Sequence, residues 1–379
     1  MARHIIKGAA IGTVSALALA AAGQAAAVDF QAGDTTVSIY GYAIGKMSYD
    51  VDEQLGDATQ GNFGNLVDDE DADGYSDIDA TQSRVGFQTS TDMEGSDLVT
   101  RIEGDFRGNG GGGFRLRHAY GSWNGVLAGQ TWSNYNSFVG NTATLDFNSL
   151  AGTAGYQLRT AQFRYTIGDF SVALEDPQTN IYSQAAGGTS DDYKKDSLPA
   201  LSARYEGSQG RFGYSVAGIV RQIEDAEEND DAMGYGGFVA GSYDMGAFSF
   251  QGTVNYVDGA TSYLYQSGYS DFNAPDAYIE ADGDLETVSA WGGSVGVSAD
   301  AGPGTVNLSY GRVEVDDSDD VSSAGYTTPE TNQNVFLNYM WQPVERVTYG
   351  IEYSYWKTEA DNGDDADANR VSVAAQYVF

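Results

Sequence analysis

The chain has 379 residues, with 54 acidic against 19 basic ones and a formal net charge of −35. That balance excludes a nucleic-acid binder, because phosphates would be repelled. It holds 49 glycines, 26 tyrosines, 16 phenylalanines, 6 prolines and no cysteine, which excludes a disulfide scaffold and favours many twisted strands with aromatic girdles over a two-domain α/β enzyme.

Arg3, His4 and Lys7 open the chain, residues 9–22 form an apolar run, and Ala25-Ala26-Ala27 offers small residues for cleavage. This order predicts an exported protein with a cleaved leader over 1–27, whose apolar run is too short to cross a bilayer. One domain is then expected over 28–379. No later stretch approaches 18 uninterrupted apolar residues, so no membrane-spanning helix is expected. Mean hydropathy is −0.36, but a barrel escapes that measure because its outward apolar residues alternate with inward polar ones.

Period-two segments recur from residue 35 to the last residue. Strands are predicted over 35–49, 80–90, 97–107, 114–123, 126–132, 159–167, 170–176 and 198–206. They continue over 211–222, 234–244, 247–258, 286–299, 304–314, 332–341, 347–358 and 369–379. In the fifteenth, Val347, Tyr349, Ile351, Tyr353 and Tyr355 share one face, while Thr348, Gly350, Glu352 and Ser354 share the other. Such alternation describes a strand lying between two different solvents.

Short turns alternate with long polar loops. Turns are predicted at 91–96, 124–125, 168–169, 207–210, 245–246, 300–303 and 342–346, and Gly110 to Gly113 forms a tight turn as well. Asn124-Gly125 suits the left-handed dihedrals of a two-residue hairpin. Long loops fall at 50–79, 133–158, 177–197, 223–233, 259–285, 315–331 and 359–368. A transmembrane barrel alternates in this way because one rim faces the periplasm and the other the outside. The last strand places Val371, Val373, Ala375, Tyr377 and Phe379 on one face, with Phe379 ending the chain. Tyr377 and Phe379 read as the signal recognised by the barrel-assembly machinery. The fold class is therefore all-β: a transmembrane antiparallel β-barrel of about sixteen strands, in the outer membrane of a Gram-negative bacterium, in contact with outer-membrane lipid and lipopolysaccharide.

The run Arg115-Leu116-Arg117-His118-Ala119-Tyr120-Gly121-Ser122, followed by Leu127-Ala128-Gly129-Gln130-Thr131-Trp132-Ser133-Asn134, resembles DcaP-like outer-membrane porins. So do Ser83-Arg84-Val85-Gly86-Phe87, Ile102-Glu103-Gly104-Asp105-Phe106 and Phe170-Ser171-Val172-Ala173-Leu174-Glu175-Asp176-Pro177. The motif-level match covers residues 80–177; elsewhere it rests on strand pattern and length. The resemblance implies a sixteen-stranded homotrimeric channel for dicarboxylates and similar small anionic solutes. Some members carry an N-terminal coiled coil; here the first strand follows soon after the cleavage site, so trimerisation is expected to rest on the barrel walls.

Charge is unevenly spread. Residues 84–164 hold Arg84, Arg101, Arg107, Arg115, Arg117, Arg159 and Arg164, with no lysine among them. Alternation opposes Arg101, Glu103, Asp105 and Arg107 to Leu98, Ile102 and Phe106. It likewise opposes Arg115 and Arg117 to Phe114, Leu116 and Tyr120, Arg84 to Val85 and Phe87, and Arg164 to Phe163, Tyr165 and Ile167. An arginine facing lipid at mid-depth costs roughly 2–4 kcal/mol, so these faces are expected to point into the lumen. Guanidiniums bind carboxylates bidentately and keep their charge, which makes the seven a predicted pore-lining path for anions. The alternative is that they pair with Glu103 and Asp105 to brace the wall, and the two roles are compatible.

Loop 133–158, the third outer loop, carries one charge, Asp146, and several aromatic residues. It is predicted to fold inward as a constriction with Asp146 facing the arginines; a cap on the rim or trimer interface is the alternative. Asp69, Asp71 and Asp73 resemble the front of a calcium loop, but Ala80 occupies the position where a bidentate Glu is needed, so a solvated charge run is favoured. His118, the one histidine after the leader, is placed on the outward face with Ser122. No third group completes a catalytic set, and no enzyme, metal or cofactor is expected. Two other readings stay open: a general or cation-preferring porin, and a non-transport barrel, either a lipid-acting enzyme or an adhesin.

Overall fold

The computed structural model describes residues 27–66, 74–183, 188–189, 194–226, 230–269, 273–280, 283–316 and 318–379. Residues 1–26 of the predicted leader, and Asp69, Asp71 and Asp73, lie outside them. Sixteen antiparallel strands close into a barrel. They are β1 (Thr35–Asp50), β2 (Tyr75–Asp79 with Arg84–Met93), β3 (Ser96–Gly108), β4 (Gly113–Trp123), β5 (Val126–Trp132), β6 (Arg159–Ile167), β7 (Phe170–Glu175) and β8 (Ala200–Gln209). The second half comprises β9 (Phe212–Glu224), β10 (Asp231–Asp244), β11 (Phe248–Asp258), β12 (Ser289–Ala301), β13 (Gly304–Val315), β14 (Pro329–Val344), β15 (Val347–Ala360) and β16 (Asp365–Val378).

Closure joins the two ends of the chain. Tyr42–Asp50 of β1 pairs with β16, and the short strand Val28–Ala32 pairs with the preceding part of β1, so that it prolongs β16 beyond the last residue. Backbone hydrogen bonds between Gly41 and Phe379, 3.0 and 3.2 Å long, seal the seam. No sheet edge is left along β1, and a closed ladder is what a bilayer requires of strands.

Alternation sorts the residues as the sequence pattern demands. On β11, Phe248, Phe250, Val254 and Tyr256 are exposed on the outside, while Gln251, Thr253 and Asn255 are buried within. Phe163 is 71% exposed and Ile78 75%; a continuous apolar band of this kind is stable in lipid and not in water. Tyr377 and Phe379 are also on the outer surface.

The predicted turns are present, some of them tighter. Asn124 and Gly125 have φ of 48° and 83°, and Glu94 and Gly95 have 54° and 86°, which are hairpin dihedrals matched to strand twist. The second strand was expected as one piece over 80–90. It is instead broken at 80–83, where the Asp79 carboxylate accepts from the Thr81 amide at 2.8 Å and from its hydroxyl. Its outer piece, Tyr75–Asp79, carries Asp77 and Asp79 and so reads as loop in the sequence. Two short strands, Ile181–Ser183 and Ala277–Ile279, pair in parallel and tie the fourth outer loop to the sixth.

The interior is filled by loops. Leu55, Phe63 and Leu66 of the first loop, Tyr135, Leu150, Ala151 and Ala154 of the third, and Tyr263 and Leu264 of the sixth pack against Phe238, Val257, Ala290, Val313, Phe336 and Trp356 of the inner wall.

Candidate functional site

The third loop, 133–158, folds inward, and the wall that receives it supplies the partners. Asn255 Nδ2 donates to the Gly152 carbonyl and its Oδ1 accepts from the Gly155 amide. Asn334 Oδ1 accepts from the Ala151 amide at 3.1 Å, and Asn338 Nδ2 donates to the Ala143 carbonyl at 2.8 Å. Near the loop's start, Glu175 of β7 accepts from the Ser133 hydroxyl and the Asn134 amide. The loop thus lies along β10–β15, with the arginine strands across the space that remains.

That space is a cavity of about 660 Å³. Arg84, Arg101, Arg115, Arg117 and Arg159 line it together with Phe138, Asn141 and Thr144 to Ser149 of the third loop. Arg107 and Arg164 are not among its lining residues. Arg107 reaches Asp57 of the first loop at 2.9 Å. Arg164 is held by the Gln162 side chain at 2.8 Å and the Trp132 carbonyl at 2.5 Å.

Two carboxylates organise the cations. Glu103, 1% exposed, lies 3.1 Å from Arg117 Nε and 3.4 Å from Arg84 Nε, pairs with Arg101, and accepts from the Tyr40 hydroxyl at 3.0 Å. Asp105 accepts bidentately from Arg115 Nε and Nη2, at 3.0 and 2.8 Å, and from Arg117 Nη1 at 3.0 Å. The bracing anticipated for these acids is therefore present. It does not neutralise the wall, because four guanidiniums share these two carboxylates and a fifth, that of Arg159, pairs with neither. Among the described residues, no carboxylate lies at ion-pair distance from Arg159, whose Cζ sits 4.6 Å from the centroid of the Trp132 ring. Arg101 and Arg84 lie over Tyr40 and Tyr42, each at 5.1 Å. Aromatic faces stabilise these cations without cancelling their charge.

One placement departs from strict alternation. His118 and Tyr120, expected outside, line the cavity with Arg117. The cause is a β-bulge: Glu103 pairs with His118 but Gly104 pairs with Leu116, so Arg117 is the extra residue. A bulge turns two consecutive side chains to one face and inverts the parity beyond it. Phe114 and Leu116, before the bulge, do face outward. His118 Nδ1 meets the Thr131 hydroxyl at 3.0 Å, and its Nε2 is 3.8 Å from Glu103. The latter is beyond hydrogen-bond reach, and Glu103 is already committed to arginines, so the three do not form a proton relay.

Asp146 lines the cavity as expected, but its oxygens are occupied by backbone. Oδ2 accepts from the Gly61 amide at 2.7 Å, and Oδ1 from the Asn148 and Ser149 amides at 2.8 and 3.2 Å. Burial pushes its carboxyl above the usual range, against the pull of Arg370, Lys46 and the amides. It closes loops onto one another more than it presents a free countercharge. Sequence reasoning passed over Lys46, Asp50, Glu352 and Arg370, all buried and inward. Glu352 carries a signal in the sequence, since it falls on the polar face of its strand with Thr348, Gly350 and Ser354. Among the described residues, no group of His, Asp and Glu is arranged to hold a metal ion.

A closed sixteen-strand barrel with an apolar exterior and a polar, partly obstructed interior defines a porin-type outer-membrane channel. The model of the DcaP outer membrane protein family matches residues 11–379, and the chain belongs to that family. Among solved structures, the outer-membrane channel DcaP of Acinetobacter baumannii superposes with a TM-score of 0.80 at 25% identity, covering 92% of this chain and 99% of that one. An anion-selective porin from Comamonas acidovorans gives 0.59 at 14% identity, covering 91% and 100%. OmpF of Salmonella typhi in complex with daunomycin gives 0.57 at 12%, covering 93% and 100%. The latter two show the shared fold. Curated proteins yield no match.

Proposed function

We propose that this barrel is a passive channel through which small hydrophilic anions, dicarboxylates among them, cross the outer membrane along the arginine wall. The observation that carries the reading is the charge imbalance at the cavity: Arg84, Arg101, Arg115 and Arg117 share Glu103 and Asp105, and Arg159 pairs with neither. In a narrow, partly dry passage a fixed excess of guanidinium attracts anions and repels cations. Arg159, which has no carboxylate partner among the described residues, and Arg115, whose side chain is 35% exposed beside Asp105, are the groups best placed to meet a passing carboxylate, because the other three are drawn towards Glu103. Arg107 and Arg164 then act as struts for the first loop and for the Trp132 backbone. The dicarboxylate preference rests on the family resemblance.

Export by cleavage after residue 27, assembly as a homotrimer through the barrel walls, and insertion directed by Tyr377 and Phe379 belong to the same proposal. The outward, exposed position of both aromatics supports the last of these. Liposome swelling provides the test. Proteoliposomes should swell faster in a dicarboxylate than in a cationic solute of equal size, and Arg159→Gln combined with Arg115→Gln should shrink the difference. Equal rates for both solutes would favour a general porin. Faster entry of the cation would make the acidic outer loops dominant.

A further inference from the structure

The third loop does not narrow the barrel alone. The first loop is lodged inside with it, and the two are fastened to each other. The Phe147 amide donates to the Thr59 carbonyl at 2.9 Å. Gly61 N donates to Asp146 Oδ2 at 2.7 Å, and Asn148 Nδ2 donates to the Gly61 carbonyl at 2.7 Å. A hydrophobic seat holds the first loop in place. Phe63 packs on Trp356 with ring centroids 4.8 Å apart, and a Cβ on Gly61 would stand 2.7 Å from the Trp356 ring. Gln60 of the first loop lines the same cavity as the third-loop residues.

Two wall residues fix this pair. Lys46 of β1, 3% exposed, donates from Nζ to the Thr59 carbonyl of the first loop at 3.2 Å and to the Leu145 carbonyl of the third at 2.5 Å. Glu352 of β15, 2% exposed, accepts from the Leu145 and Asp146 amides at 2.7 and 2.9 Å and from Asn338 Nδ2 at 2.9 Å. Leu145 is thus gripped at its amide by one strand and at its carbonyl by another. Neither charge joins a direct ion pair with the other, and burying both ions to hold backbone is costly. That cost is accounted for if the location of the backbone matters.

We propose that Lys46 and Glu352 are positioning residues that clasp the first and third loops together, and that the two loops jointly set the bore of the channel. The clasp touches no arginine of the wall, so the bore and the sign of the ion preference are separable. This inference builds on the channel reading above, yet the two fail in different ways.

Single-channel recording in planar bilayers tests it with Lys46→Met, Glu352→Gln and Glu352→Ala, each purified as a folded, heat-modifiable barrel. Releasing the clasp should raise unitary conductance on the order of twofold and add open-channel noise, because the narrowest section is removed. Glu352→Gln retains one acceptor and should fall between the wild type and Glu352→Ala. Reversal potentials should keep the wild-type sign in all three, because the arginine wall is intact. Wild-type conductance in folded Lys46→Met and Glu352→Ala would overturn the clasp, whatever the ion preference. A cation-biased wild type whose conductance still rises in the variants would overturn the anion reading and leave the clasp standing. Should Glu352→Ala fail to fold, Lys46→Met and Glu352→Gln decide the matter.

Discussion

Glu103→Gln tests the arginine wall at its centre. The carboxylate is nearly inaccessible and faces Arg84 at 3.4 Å, Arg117 at 3.1 Å and Arg101, with Tyr40 also donating to it. Glutamine keeps the size but removes the charge. Arg117 retains Asp105, whereas Arg84 and Arg101 have no other carboxylate at ion-pair distance among the described residues. Removing one partner of a buried ion pair typically costs about 3–5 kcal/mol, because the remaining charge stays buried. We expect a loss in that range, moderated by the amide oxygen, which can still accept from one guanidinium and from Tyr40. Denaturant unfolding of the barrel in detergent, followed by tryptophan fluorescence and by heat-modifiable migration, measures it. The same change makes the wall one charge more positive, so anion preference should increase while stability decreases. A variant within about 1 kcal/mol of wild type, the scale of a surface pair, with unchanged selectivity would refute the reasoning. It would mean that the arginines are hydrated and independent of Glu103.

Further outcomes follow from other parts of the barrel. Phe163→Arg puts a charge on the lipid face and should destabilise the folded barrel by roughly 2–4 kcal/mol if the site lies near mid-membrane, read by unfolding in lipid vesicles. Gly125→Val places a β-branched residue at φ 83° with its Cβ 2.6 Å from the Thr166 carbonyl. It should slow refolding and destabilise by about 1–3 kcal/mol, again by unfolding. Deleting Phe379 removes both backbone bonds to Gly41 and the outward ring, and should lower the yield of inserted barrel in membrane fractions. Normal insertion would dismiss the terminal aromatic as an assembly signal.

The strand count and the alternation of short turns with long loops were legible because a barrel wall between lipid and water imposes a strict period of two on every strand. The Asn124-Gly125 hairpin was legible because its dihedrals demand those residues. His118 and Tyr120 were misplaced because a single bulged residue, Arg117, inverts the parity beyond it, and a bulge leaves no local mark that sequence periodicity can register. The pairing of Arg101 and Arg117 with Glu103 was partly visible, since all three share the inward face. The outer piece of β2 was hidden by Asp77 and Asp79, whose carboxylates bind the Ala58 amide and the Thr59 hydroxyl of the first loop and so belong in a strand despite their charge. The inward course of the third loop followed from its place as the third outer loop of a porin-like barrel, together with its low charge. The participation of the first loop did not, because contacts such as Gly61 on Trp356 join segments far apart in the chain, and only the closed barrel brings them together.

Excess guanidinium charge around the cavity should govern which ions pass. The zero-current potential of the wild-type channel, in a planar bilayer separating two concentrations of potassium chloride, measures this. It should have the sign produced by chloride crossing faster than potassium, diminished in Arg159→Gln. A potential of the opposite sign, or an unchanged one in that variant, would contradict that expectation.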